Sequence, residues 1–142
     1  MIEQHYGELQ LPLALHHHLE KLLSCYSIPE QAIRLAINYR SSDYYQTKRG
    51  IHPVEIQLKK SDERWRIVFI ASFSFIDTHD KSVDVELYFH LINHWCYQLD
   101  SDGRCDLLHP SVIDLLHSWI TAFLRHIQQQ QRFDDISLTV LR

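Results

Sequence analysis

Apolar residues recur along this chain with two different periods, and the alternation between them predicts the element order. Leu11, Leu15, Leu19, Leu22, Leu23 and Tyr26 share one face of a 3.6-residue period, which predicts a helix over residues 11–26. Pro12 suits its first turn, where a missing N–H costs nothing, and Pro29 restricts Ile28 and ends the segment. From residue 32 the period falls to two. Ile33, Leu35, Ile37 and Tyr39 alternate with Arg34, Asn38 and Arg40, as in a half-buried strand.

A polar loop is expected from Ser41 to Gly50, followed by a strand in which Val54, Ile56 and Leu58 alternate with Glu55, Gln57 and Lys59. Beyond a turn at Ser61–Glu63, the segment from Trp65 to Ile76 gives the longest strand signal. Unbroken alternation would put Trp65, Ile67, Phe69, Ala71, Phe73 and Phe75 on one face. Val68 and Ile70 make the middle of its other face apolar too, so this strand is expected to be central and covered on both sides. Val83, Val85, Leu87, Phe89 and Leu91 then alternate with Asp84, Glu86, Tyr88 and His90. A short strand around Trp95, Tyr97 and Leu99 and a turn at Asp100–Gly103 follow. Leu116, Ile120, Phe123, Leu124 and Ile127 predict a helix from Pro110 to about residue 130, and Ile136, Leu138 and Val140 a last strand.

The order α-β-β-β-β-β-α-β lacks the strand–helix alternation of a doubly wound fold. It predicts an α+β fold: a mostly antiparallel sheet of five to six strands with two helices packed mainly on one face. With 142 residues and neither repeat nor linker, residues 1–142 read as a single domain.

Four stretches carry a resemblance: Gly50-Ile51-His52-Pro53-Val54-Glu55-Ile56, Trp65-Arg66-Ile67-Val68-Phe69-Ile70, Val85-Glu86-Leu87-Tyr88-Phe89 and Phe133-Asp134-Asp135-Ile136. They are similar to a bacterial family known as domain of unknown function 2787. The resemblance implies a compact single-domain protein encoded in bacteria, and it brings no activity and no functional residue with it.

Charge narrows the function classes. Fourteen Lys and Arg against eighteen Asp and Glu give a net charge of −4, which disfavours nucleic acid as a partner, because such affinity rests on neutralising phosphates. Glu3 and Glu8 stand where a secretory signal wants positive charge, and no apolar run reaches the ~20 residues of a membrane helix. Cys25, Cys96 and Cys105 are odd in number and far apart in sequence, and read as reduced thiols. The expected compartment is the cytoplasm, with no membrane partner.

Catalytic motifs are missing. Three glycines make neither G-x-G-x-x-G nor a P-loop, and there is no G-x-S-x-G. Eleven histidines invite a zinc reading, yet His16, His17 and His18 splay ~100° apart on a helix, and Cys105-x-x-x-His109 has no second half. Aligning Gly103 with a calcium loop puts Gln98 and His109 where Asp and Glu are required. No metal ligands and no cofactor are assigned.

Two constellations remain. Arg40, Tyr44, Tyr45, Lys48 and Arg49 interleave aromatics with cations in the expected loop, a composition suited to interface anchors. They favour a non-catalytic interaction module with a protein partner, a homo-oligomer being compatible, and alanine at Tyr44, Tyr45 and Arg49 is expected to abolish capture while leaving the fold intact. The alternative is a small enzyme or a metal or small-ligand site on the polar sheet face, where Glu55, Asp84, Glu86 and His90 would converge. Single-strand nucleic-acid binding is the weaker third.

Overall fold

Leu35, Ile37 and Tyr39 of strand β3 (Arg34–Arg40) are wholly excluded from solvent, and the fold is organised around them. A computed structural model describes residues 1–77, 79–99, 103–128 and 132–142. After β3 the chain continues through helix α2 (Ser42–Thr47), β4 (Val54–Ser61), β5 (Arg64–Ser74), β6 (Asp84–His90), β7 (Trp95–Gln98) and β8 (Arg104–Asp106). Each of these strands lies antiparallel to the one before it. Helix α3 (Pro110–Gln128) then crosses back, and β9 (Asp135–Leu141) pairs with the free side of β3. The seven-stranded order is β8-β7-β6-β5-β4-β3-β9.

Helix α1 (Leu13–Ser24) contributes Leu15, Leu19 and Leu23 to the core, and α3 contributes Leu116, Ile120 and Phe123. Both pack with Ile37, Ile56, Ile70 and Phe89 in one cluster, so the two long helices share one face of the sheet, as expected. A small hairpin, β1 (His5–Tyr6) and β2 (Leu9–Gln10), precedes α1. Its Tyr6 is fully buried; the hydroxyl accepts a bond from the Ile67 N–H at 2.9 Å and donates to the Glu3 carbonyl at 2.8 Å. Burial pushes this phenol up to about 12.

Three expectations need correction. The stretch from Ser41 to Gly50 holds the helix α2. Tyr44 is buried there, the Ser42 N–H donates to Asp134 Oδ1 at 2.8 Å, and Lys48 closes the helix in the left-handed region at φ 59°. These are tertiary anchors and a C-cap, invisible to periodicity.

Strand β5 does not alternate throughout. Gln57 opposes Phe69 while Leu58 opposes Ile67, which leaves Val68 as an extra residue in a β-bulge. The bulge reverses the faces: Ile67 and then Ile70 point to the helices, and Phe69 goes to the opposite face with Tyr88.

That opposite face is the third correction, since β5 is central but no described helix covers its far side. Cys96 and Cys105 are directly opposed partners across β7 and β8 despite their separation in sequence. Strand β8 and the first hairpin were not expected. The turn read at Asp100–Gly103 lies outside the described residues except for Gly103, whose φ of 89° fits it, and so do residues 129–130 at the end of the expected second helix.

Candidate functional site

A second bulge builds the site. Ser72 opposes Leu87 and Phe73 opposes Val85, so Glu86 is the extra residue of β6. Simple alternation would send Glu86 outward with Tyr88. Instead its carboxylate lies on the helix side, where Oε1 accepts a bond from Ser72 Oγ at 3.0 Å and one from His52 Nδ1 at 2.7 Å. The imidazole therefore carries its hydrogen on Nδ1 when neutral, and Nε2 is left with a lone pair. Glu86 Oε2 takes no bond from any described residue.

His52 is held by its neighbours on both sides. Gly50 at φ 103° and Pro53 shape the approach to β4, and the ring packs on Tyr44 at 4.7 Å between centroids. Tyr44 in turn packs on Phe75 at 5.4 Å, and its hydroxyl accepts the Phe75 N–H at 3.0 Å. A cleft of about 290 Å³ opens between these groups and α3, with Trp119, Phe123 and Phe133 as apolar walls and His126 at its border. The side chains of Glu86 and His52 are 24% and 42% exposed, so both reach solvent through the cleft.

The helix-free face has a different character. Phe69 stacks on Tyr88 at 4.7 Å, Tyr88 on Trp95 at 5.0 Å, and His90 on Trp95 at 5.4 Å. The Arg104 guanidinium caps the row, 4.4 Å from the Trp95 ring. Burial raises the Tyr88 phenol, and burial followed by the charge of Arg104 lowers the His90 imidazole. An open groove of about 570 Å³ runs alongside, edged by Ile76, Val85, Tyr97 and Leu99.

The candidate residues separate accordingly. Glu55 lies on the helix-free face and accepts a bond from Gln57 at 2.9 Å; Asp84 is exposed at the groove edge; His90 belongs to the aromatic row; Glu86 is on the other side of the sheet. The four are thus not gathered into one centre, and among the described residues no group of three or more His, Cys, Asp and Glu is placed to hold a metal ion.

Of the α2 set, Tyr44 is an internal anchor, while Tyr45 is exposed beside Phe75. Lys48 Nζ donates to the Asp80 carbonyl at 2.8 Å and lies over the Phe75 ring, and Arg40 and Arg49 are at the surface. The Tyr44–His52 contact joins the α2 segment to the Glu86 cleft, so one member of each candidate set meets at this place.

Sequence reasoning missed His52, Ser72 and Trp119. Two polar residues, Ser72 and Ser74, in the part of β5 that is otherwise apolar from Ile67 onward were the available signal, and both are buried.

No curated protein matches the sequence. Two of the solved structures that share its fold are the following. Hypothetical protein VC0508 from the Vibrio cholerae VSP-II pathogenicity island is 19% identical with a TM-score of 0.84, over 99% of this chain and 100% of that one. Conserved hypothetical protein VC1805 from pathogenicity island VPI-2 of Vibrio cholerae O1 biovar eltor is 24% identical with a TM-score of 0.80, over 98% and 100%. The second is described as sharing structural homology with the human P32 protein. At these identities the likeness is one of fold. The sequence signature of the family described as Protein of unknown function (DUF2787) matches residues 13–139, and the chain belongs to that family.

Proposed function

We propose that this protein is a non-catalytic binding module whose ligand seat is the cleft between His52, Glu86 and α3. The observation that carries this reading is the bulge at Glu86, which turns a carboxylate, one of whose oxygens takes no bond from any described residue, into an aromatic-walled cleft. An apolar cavity with a few convergent polar groups is the usual form of a small-ligand site. Ser72 and His52 both converge on the same carboxylate, so the imidazole does not bridge serine and acid as a Ser–His–acid triad requires.

The chemistry of the seat favours a primary amine or guanidinium on an apolar stem. Glu86 Oε2 accepts the cationic head, Trp119 and Phe133 contact the stem, and the net charge of −4 draws cations to the surface. The head can belong to a free small molecule or to a Lys or Arg side chain of a partner protein. In the second case the exposed Tyr45 of α2, with Arg40 and Arg49 on either side of that helix, provides the surrounding contacts.

NMR titration of the labelled protein with n-butylamine, n-butanol and a lysine-containing peptide tests this. The amine is expected to shift the His52 and Trp119 side-chain signals, and Glu86→Gln, which keeps the shape, to remove the response. Tighter binding of the peptide than of n-butylamine assigns the cation to a partner protein; the reverse assigns it to a small molecule. Equal responses to n-butanol and n-butylamine, unchanged in Glu86→Gln, overturn the reading.

A further inference from the structure

We propose that Cys96 and Cys105 form an oxidisable dithiol that low-molecular-weight disulfides convert to an intramolecular cystine pinning edge strand β8 to β7. The two residues are directly opposed partners in an antiparallel pair. Such partners hold their Cα atoms ~4.5 or ~5.5 Å apart, according to whether the pair is hydrogen-bonded. Both separations fall within the ~4.4–6.8 Å that a disulfide spans, so closure needs side-chain rotation and little backbone movement.

The two sulfurs differ in access. Cys96 is fully excluded from solvent, whereas Cys105 is half-buried on the edge strand and receives a bond from Gln98 Nε2 at 3.7 Å. Cys105 is therefore the attacking group. Its thiolate displaces one glutathione thiolate from glutathione disulfide, forming a mixed disulfide. The Cys96 sulfur then attacks Cys105 Sγ and expels the second glutathione thiolate. Two S–H bonds are lost and one S–S bond forms; the two electrons reduce the glutathione disulfide, and the two protons end on the released thiols. Burial pushes the Cys96 thiol up to about 12, which makes this second step slow.

Strand β8 carries Arg104, the cap of the Trp95 ring and part of the edge of the outer groove. The oxidised form would fix that cap against its strand. Cys25, exposed at the end of α1 and remote from both, is the internal control.

The experiment treats the reduced full chain with glutathione disulfide, blocks remaining thiols under denaturing conditions and maps peptides without reduction. A linked Cys96–Cys105 peptide, with glutathione on Cys25, is expected. In Cys25→Ser the same link should form and raise Tm by about 5 °C. Cys96→Ala should stop at glutathione on Cys105; if that variant does not fold, the wild-type map decides alone. Recovery of Cys96 and Cys105 both blocked as thiols, with Cys25 fully oxidised, overturns the proposal, as does a link from Cys25 to either.

Discussion

His52 and Glu86 meet at 2.7 Å although 34 positions separate them in the chain, and each is brought there by a different irregularity. Glu86 is turned by a bulge in β6, and His52 is set by the turn at Gly50 and the ring of Tyr44. Ser72 supplies the second bond to the same oxygen. Removing it with Ser72→Ala leaves the carboxylate one donor short. We expect a loss of about 1 kcal/mol, read as a lower urea midpoint at unchanged slope.

Tyr44 and Tyr45 are adjacent in sequence and opposite in consequence. Tyr44 is buried against His52 and Phe75, so Tyr44→Ala should cost about 3–5 kcal/mol, as large aromatic truncations in cores do. Tyr44→Phe, which drops only the bond to the Phe75 N–H, should cost about 1 kcal/mol. Tyr45→Ala should fall within about 1 kcal/mol of wild type in urea unfolding. A triple alanine variant at Tyr44, Tyr45 and Arg49 therefore loses stability, contrary to the expectation from the sequence, and only Tyr45 and Arg49 are suitable probes of an interface.

His18 gives the stability a defined acid slope. Its imidazole lies between Tyr39, whose hydroxyl is 2.9 Å from Nε2, and Phe123, and burial followed by the charge of Lys21 holds it below its ordinary 6.5. The unfolded chain then takes up the proton first as pH falls. This contribution to stability is present above the unfolded value and is lost as pH drops from about 6.5 toward the lower folded one. Urea midpoints should rise between pH 5 and pH 7, and His18→Gln should flatten that rise. An identical slope in the variant would assign it to other groups.

Thiol reactivity should separate by burial. In the reduced native protein, iodoacetamide at mildly alkaline pH is expected to modify Cys25 first, since it is exposed at the end of α1. Cys96, buried and with its thiol pushed up to about 12, should react only once the chain unfolds. Peptide mapping after timed quenching reads the order.

Much of the scaffold was legible because burial on one face of a regular element leaves a regular trace. The Leu15, Leu19, Leu23 stripe of α1 and the Leu35, Ile37, Tyr39 face of β3 lie where their periods put them. The site was not legible, and the reason is specific. Alternation counts residues, and a bulge adds one without changing composition, so the period puts Glu86 on the face of Tyr88 when it lies on the face of Ser72. Helix α2 escaped because its polar residues show no stripe; it is held by single anchors, Tyr44 and the Asp134 bond. The Cys96–Cys105 opposition depends on strand register, which a turn sets and composition does not.

The two bulges also make the sheet a reader with a shifted frame. Val68 and Glu86 each act as an inserted symbol after which inside and outside exchange meanings. Deleting Glu86 would join Val85 directly to Leu87 with their partners Phe73 and Ser72 unchanged, so the ladder would close and the cleft alone would lose its acid. Straightening the strand with Glu86 retained would do the opposite: everything before Leu87 would move one partner along and change sides. The count of residues, as much as their kind, is what the strand encodes.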